Sequence, residues 1–466
     1  MVKKTYAAIM AVGVGTFMSS LDSGAVNLAL PLIREGFGTS ISMVEWITTS
    51  YLLIISSLLL SFGRLADLYG HKRVYATGFI FFVTGSLLCG VSTGIEMLIG
   101  GRVVQALGAG MLMATGPAII TNAVPPDRRG KALSVVAIAV ALGLSAGPAI
   151  GGILATLWGW QSIFFINLPV GIVGMVLVRR NVPKDENRKA VPFDVAGGLL
   201  IFFALLLLLL PLSLSGDHHI PPIAFAATLS SSLVLVACFI FLESRREYPM
   251  LNLMLFKNRI FTASNVAAVC TYMAQFIMVF LTPFYLQNLR GYSAMASGLI
   301  YLAMPIATLC IAPVSGAISD RFDGKYISAA GAFVLAAGLY LLSKLTIDTR
   351  IAYIDISLVI IGLGFGMFQT PNNSAIMGNV PQEYRGTASG TMATMRNIGM
   401  ALGIAVSGAL FTFSQKRLTI LLSGRGMHGT MLQATAFAGA LHATFLAASA
   451  VAILAMAASL VKGRSS

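Results

Sequence analysis

The sequence predicts an all-α polytopic membrane protein: two six-helix bundles with two further helices inserted between them, fourteen transmembrane helices in all. Three observations lead there. The 466 residues are 57% hydrophobic and only 10% charged; apolar runs recur in fourteen separable stretches; and short motifs return at nearly one spacing. A hydrocarbon core about 30 Å thick takes roughly 20 apolar residues per helix, so runs of this length with short loops leave no room for a separate soluble domain.

The first run, Tyr6–Leu30, holds Asp22 with no basic residue between Lys4 and Arg34. Lys3 and Lys4 ahead of an apolar run resemble the start of a secretory signal. No small-residue cleavage site follows, and Asp22 is foreign to such a segment, so a retained first span is expected. The next five runs complete the first bundle: Val44–Phe62, Val74–Val91, Met97–Ile120, Ala132–Leu157 and Ser162–Val178. Val195–Leu212 and Pro222–Leu242 have no counterpart elsewhere and form the inserted pair. The charged stretch Arg179 to Lys189 leads into this pair, and Glu243 to Arg259 leads out. The second bundle is Thr262–Tyr285, Ala296–Ala317, Ile327–Leu342, Ile354–Gln369, Thr391–Phe413 and Ala436–Leu460. The expected organisation is therefore 1–180, 181–258 and 259–466.

The repeat is weak but consistent. Gly63-Arg64-Leu65-Ala66-Asp67-Leu68-Tyr69-Gly70-His71-Lys72 returns as Gly316-Ala317-Ile318-Ser319-Asp320-Arg321-Phe322-Asp323-Gly324-Lys325. Arg129-Gly130 matches Arg385-Gly386, and Gly143, Gly147 and Gly152 fall on Gly399, Gly403 and Gly408. Leu107 to Met111 matches Leu363 to Met367. Two halves related in parallel are the expected outcome.

A formal charge of +14 invites a nucleic-acid reading, which its placement removes. Of the 31 Lys and Arg, 22 lie at the amino terminus, in loops after even-numbered spans and at the carboxyl terminus. This is the positive-inside pattern, so both termini are expected in the cytoplasm. The four cysteines, Cys89, Cys238, Cys270 and Cys310, fall inside spans without metal-ligand spacing. No metal, cofactor or nucleic acid is expected.

A carboxylate in hydrocarbon is costly and marks an ion or substrate route, unless it is a structural partner of Arg102. Burial favours the neutral form of a carboxylic acid, which makes proton exchange feasible chemistry for such a group. Arg102 and Gln105 share one face of span 4. Arg102 either answers Asp22, orients carbonyls or water, or snorkels to the interface. Arg396 is expected to snorkel, Glu45 and Asp355 to be interfacial, and Asp217-His218-His219 to be a solvated loop.

Gating residues are expected in two places. The loop Gly63 to Arg73 can turn tightly on its glycines and bring Asp67 near Arg73 and a helix amino terminus as a latch, with Asp320 as the second copy. In span 5, Gly143 and Gly147 permit close packing, continued by Gly151 and Gly152, and Pro148 bends the helix. Gly143-Leu144-Ser145-Ala146-Gly147 also fits the hydrolase G-x-S-x-G pattern. It lies mid-span without a triad, and so argues for no enzyme. No phosphate-binding G-x-x-x-x-G-K-[ST] sequence occurs.

Together these residues resemble the fourteen-span drug:proton antiporters of the major facilitator superfamily, across essentially the whole chain. Leu21 to Pro31 looks like the family's first-span signature, and Trp46 to Leu53 like its second-span entry. Gly63 to Arg73 is similar to its loop motif, Arg102 to Gly110 to its fourth-span motif, and Gly143 to Gly152 to its antiporter motif. Phe164 to Gly171 and Tyr285-Leu286-Gln287 fit as well. Gly24 and Ala25 stand where the family has Thr and Ile, and Gln161 and Ser162 where it has Arg and Trp. No acid lies inside span 10 or span 13, where some multidrug members carry one, which argues against divalent-cation export.

The resemblance implies proton-coupled multidrug efflux by alternating access in the cytoplasmic membrane, with antibiotic resistance as its consequence and no cofactor beyond the proton gradient. Asp22 would exchange the proton, assisted by Arg102 and Gln105, and the small-molecule substrate would bind at the midplane. Tyr51, Met113, Tyr272, Gln275 and Asn372 are the candidates to line that site, in a chain expected to work as a monomer within the lipid bilayer. A 100 mV potential supplies about 2.3 kcal/mol per charge and one pH unit about 1.4. One proton against a neutral cargo then sustains a gradient of roughly 500-fold, and against a monocation roughly tenfold. Neutral or singly cationic apolar compounds are therefore the expected cargo. The competing readings are a facilitator exporting one metabolite, lipid or peptide, a solute:proton symporter, and a receptor or scaffold, which would need a signalling domain.

Overall fold

The computed structural model describes residues 2–124, 129–183, 194–214, 221–246, 249–319, 321–381 and 384–461. Among these, fourteen helices are long and apolar enough to cross a membrane. They are α1 (Tyr6–Phe37), α2 (Ile41–Tyr69), α3 (His71–Gly90), α4 (Ile95–Ala123), α5 (Ile138–Trp158), α6 (Ser162–Asn181) and α7 (Val195–Leu214). The remainder are α8 (Pro222–Ser244), α9 (Arg259–Leu289), α10 (Ala294–Ser319), α11 (Gly324–Ser343), α12 (Ile351–Gly378), α13 (Arg385–Ser423) and α14 (Gly429–Leu460).

Most helices outrun their apolar stretches. Hydropathy marks the part immersed in hydrocarbon, whereas backbone hydrogen bonding continues past it. At 1.5 Å per residue the 39 residues of α13 reach about 58 Å, well beyond a core of about 30 Å. Side chains start several helices: Ser40 Oγ accepts from Met43 N at 3.2 Å, Asn258 caps α9, and Asp323 caps α11. Gly70 makes the α2–α3 turn with φ +97°, a conformation that glycine alone adopts without strain.

The repeat is visible in how helices touch. On α5, a Cβ at Gly143 would lie 2.8 Å from Phe17 O, and one at Gly147 2.8 Å from Leu21 O of α1. On α13, Gly399 stands in the same relation to Val269 O, and Gly403 to Met273 O, of α9. Gly108 of α4 packs on Gly78 and Phe82 of α3, as Gly364 of α12 packs on Gly331 and Leu335 of α11. The family-atypical Gly24 and Ala25 meet Gly147, Pro148 and Gly151, so both sides of the α1–α5 seam are small.

The inserted pair is docked. Ser213 near the end of α7 donates to Glu45 Oε1 at 2.5 Å, and Glu45 also abuts Gly408 of α13. Glu45 is fully buried, which corrects the expectation of an interfacial residue. It lies near the end of α2, but α7 and α13 cover that end. Asp194 caps α7 through Gly197 N at 2.7 Å and pairs with Arg246 beyond α8. Arg64 of α2 donates to Pro249 O at 3.0 Å, fastening the return segment. α8 keeps an apolar outer face, with Ile223, Leu233 and Phe241 exposed.

Call the surface carrying the α2–α3 turn the basic face. At the opposite face the two halves are joined: α5 packs on α10 through Gly152 on Ala294 and Pro148 on Gly298. Met295 N donates to Thr156 Oγ1 at 3.1 Å, and Gln287 Nε2 to Leu28 O at 2.8 Å.

Candidate functional site

Five helices of the first half converge on Asp22. It stands midway along α1, fully buried, and among the described residues its side-chain donors come from other helices. Arg102 Nη1 of α4 lies 2.6 Å from Asp22 Oδ2. Gln105 Nε2, one turn on, donates to Asp22 Oδ1 at 2.9 Å, and Asn167 Nδ2 of α6 donates to the same oxygen at 2.8 Å. Ser86 Oγ of α3 accepts from Gln105 at 2.7 Å and from Asn167 at 3.1 Å. Arg102 further donates to Gln105 Oε1 at 2.6 Å and, through Nε, to Ile47 O of α2 at 3.1 Å. Its guanidinium carbon lies 4.1 Å from the centre of the Tyr51 ring.

Removing either charge would leave the other buried without its counter-charge, a loss of about 3–5 kcal/mol for buried pairs in general. Both carboxylate oxygens are occupied by donors. Three donors on these two oxygens tie α1 to α4 and α6.

Asp22, Arg102 and Gln105 thus come together as the sequence predicts. Tyr51, expected to line the cargo site, is 2% exposed and seats Arg102. Ser86 joins them without a sequence signal of its own, and Asn167 comes from the Phe164 to Gly171 stretch. The signal for Asn167 was its polarity within α6 next to Ile166, where that helix is interrupted between Ser162–Phe165 and Asn167–Asn181. Arg102 clearly does not snorkel.

Of the other candidates, Met113 is half-buried on α4. Tyr272 of α9 accepts from Gln369 Nε2 of α12 at 2.8 Å and meets the Phe365 ring edge-on, centroids 5.3 Å apart. Gln275 is 6% exposed with no partner on Oε1 among the described residues. Asn372 is buried and donates to Ser264 O at 3.2 Å, holding α12 on α9. Arg396 is half-buried on α13, with Nε buried and without a hydrogen-bond partner among the described residues, and lies near Tyr272.

At the basic face, Asp67 is 3.6 Å from His71 Nε2 at the start of α3, while Arg73 is exposed. Lys72 donates to Arg179 O at 2.9 Å, tying α3 to the end of α6. Asp320 and Asp217-His218-His219 lie outside the described residues, as does the side chain of Arg129. Among the described residues no group of His, Cys, Asp and Glu has the arrangement of a metal site.

Residues 12–404 match the profile described as Major Facilitator Superfamily. The chain belongs to that superfamily. This major facilitator protein is 36% identical over 426 residues to "Riboflavin transporter RibZ" of Clostridioides difficile, covering 89% of this chain and 91% of that one. It is 33% identical over 404 residues to "Multidrug resistance protein Stp" of Mycobacterium tuberculosis, covering 86% of this chain and 75% of that one. Among solved structures, the "POT family transporter PepTSo" superposes with a TM-score of 0.68 at 15% identity, with 99% of each chain covered. That likeness speaks for the fold. The facilitator is a multi-pass membrane transporter, not an enzyme.

Proposed function

We propose that this facilitator couples inward proton movement to the export of small, largely apolar compounds, neutral or singly charged, across the cytoplasmic membrane. Both termini lie in the cytoplasm, on the strength of the basic-face charge. Residues 1–180 and 259–466 act as the two moving bundles, with 181–258 as a docked linker. The observation that carries the reading is the buried Asp22–Arg102 pair with both carboxylate oxygens engaged.

In the cycle, Asp22 takes a proton from outside as cargo leaves, and Arg102 lets go. With the outer seam shut, the proton departs to the cytoplasm and the ion pair re-forms. The present geometry, paired at Asp22 and joined at α5–α10, corresponds to that last stage. Pro148 and the glycines of α5 allow the seam to open. Asp67, Arg73 and Asp320 act as the latch at the cytoplasmic face.

A second reading comes from the Clostridioides relative: carriage of one flavin-like ring compound rather than many drugs. The Tyr272–Phe365 aromatic pair favours it. Energised inverted vesicles separate these readings. Uptake of several dyes, stopped by collapsing the proton gradient and absent in Asp22→Asn, is the expected result. Uptake that survives gradient collapse overturns coupling, and uptake of riboflavin alone selects the second reading.

A further inference from the structure

The two halves pack alike but carry different chemistry. The matching glycine seams align Asp22 with Ala274, Arg102 with Leu358 and Gln105 with Ile361, so the second half has no ionic cluster of that kind. It carries something else. Arg396 aligns with Val140, and Gln369 with Met113. The hydroxyl of Tyr272 receives Gln369 at 2.8 Å with Arg396 nearby, which leaves its own hydrogen to be given to an acceptor. Arg396 Nε is buried and has no hydrogen-bond partner among the described residues.

Among the described residues no acid is paired with this cation. Asp22 is held by Arg102, and Glu45 receives Ser213. Asp355 lies fourteen residues before Gln369 on α12, about 20 Å along the helix axis. Tyr272 stands thirteen residues into α9, also about 20 Å from its start, which puts the centre deep in the hydrocarbon zone. An arginine at such depth is expensive unless a partner meets it. Here donors outnumber acceptors, beside an aromatic wall of Tyr272 and Phe365.

We propose that this centre is the cargo site and that it takes a planar aromatic molecule bearing an anionic oxygen, a carboxylate or phenolate. The ring lies against Tyr272 and Phe365, and the oxygen accepts from Arg396 and the Tyr272 hydroxyl. The proposal rests on the transport reading and narrows its cargo, against the cations that the sequence suggests. Exporting an anion for an entering proton moves two charges. A 100 mV potential then adds roughly a further 50-fold to the gradient attainable with neutral cargo.

Fluorescein and rhodamine 123 share one ring system and differ in charge at pH 8, so they isolate the point. Their binding to the purified chain in detergent, followed by fluorescence anisotropy, needs no gradient. Fluorescein is expected to bind at least tenfold tighter than rhodamine 123. Arg396→Gln is expected to lose at least tenfold for fluorescein without weakening rhodamine 123, and Arg396→Lys to fall between wild type and Arg396→Gln for fluorescein. Should Arg396→Gln fail to yield folded protein, the wild-type comparison and Arg396→Lys decide. Absent fluorescein binding, equal or tighter rhodamine binding, or undiminished fluorescein binding in a folded variant overturns the proposal. A failure of proton coupling leaves this comparison intact, and a reversed dye preference leaves coupling intact.

Discussion

Arg102 uses a flat, forked group to hold three helices at once: α1 through Asp22, α2 through Ile47 O, and its own turn through Gln105. A lysine keeps the charge but offers a single point of contact. Arg102→Lys is therefore expected to fold, yet to lose about 10- to 100-fold in gradient-driven dye uptake in vesicles. Wild-type uptake would show that only the charge matters. Charged groups inside apolar runs announce themselves, so Asp22 and Arg102 were legible in the sequence, and a three-residue spacing brought Gln105 along. Ser86 and Asn167 were not. Within a helix such side chains commonly satisfy themselves on the preceding turn, and only the fold brings Asn167 to a residue 145 positions away. Glu45 misled for a related reason: nearness to a helix end resembles nearness to water until α7 and α13 close over it.

Among the helices, the α1–α5 seam sets how closely the moving parts approach. Gly147 leaves no space for a side chain, since its Cβ would stand 2.8 Å from Leu21 O, a backbone atom that cannot rotate away. Gly147→Val is expected to push α5 off α1, lowering the apparent Tm by several degrees and reducing transport at least tenfold. Unchanged melting and transport would remove the seam from the mechanism. Gly63, with open space around its Cβ position, serves as the control: Gly63→Ala should alter neither. The sequence revealed that Gly143 and Gly147 mark close packing, from their spacing alone. It did not reveal the partner, because Gly24 and Ala25 read only as departures from the family until they are seen resting on Gly147 and Gly151.

For the whole molecule, alternating access requires the α5–α10 seam to part. Thr156 and Met295 meet across it. Cysteines at these two positions, with Cys238 and Cys310 replaced by Ser, are expected on cross-linking to halt transport almost entirely and to recover on reduction. Transport that persists through the cross-link would mean the seam never opens. Fourteen spans and a parallel repeat were legible because hydrophobic length and motif spacing depend on local sequence. The docking of α7 and α8 was not, since it depends on Ser213 meeting Glu45 and Arg64 meeting Pro249 across the fold.

The central claim is that occupancy of the transporter by cargo and occupancy of Asp22 by a proton exclude one another. Proton release on adding a transported dye to the purified protein in weakly buffered detergent measures this without any gradient. About one proton per bound dye is expected from wild type and none from Asp22→Asn with dye binding retained. Equal release from both proteins would contradict the account.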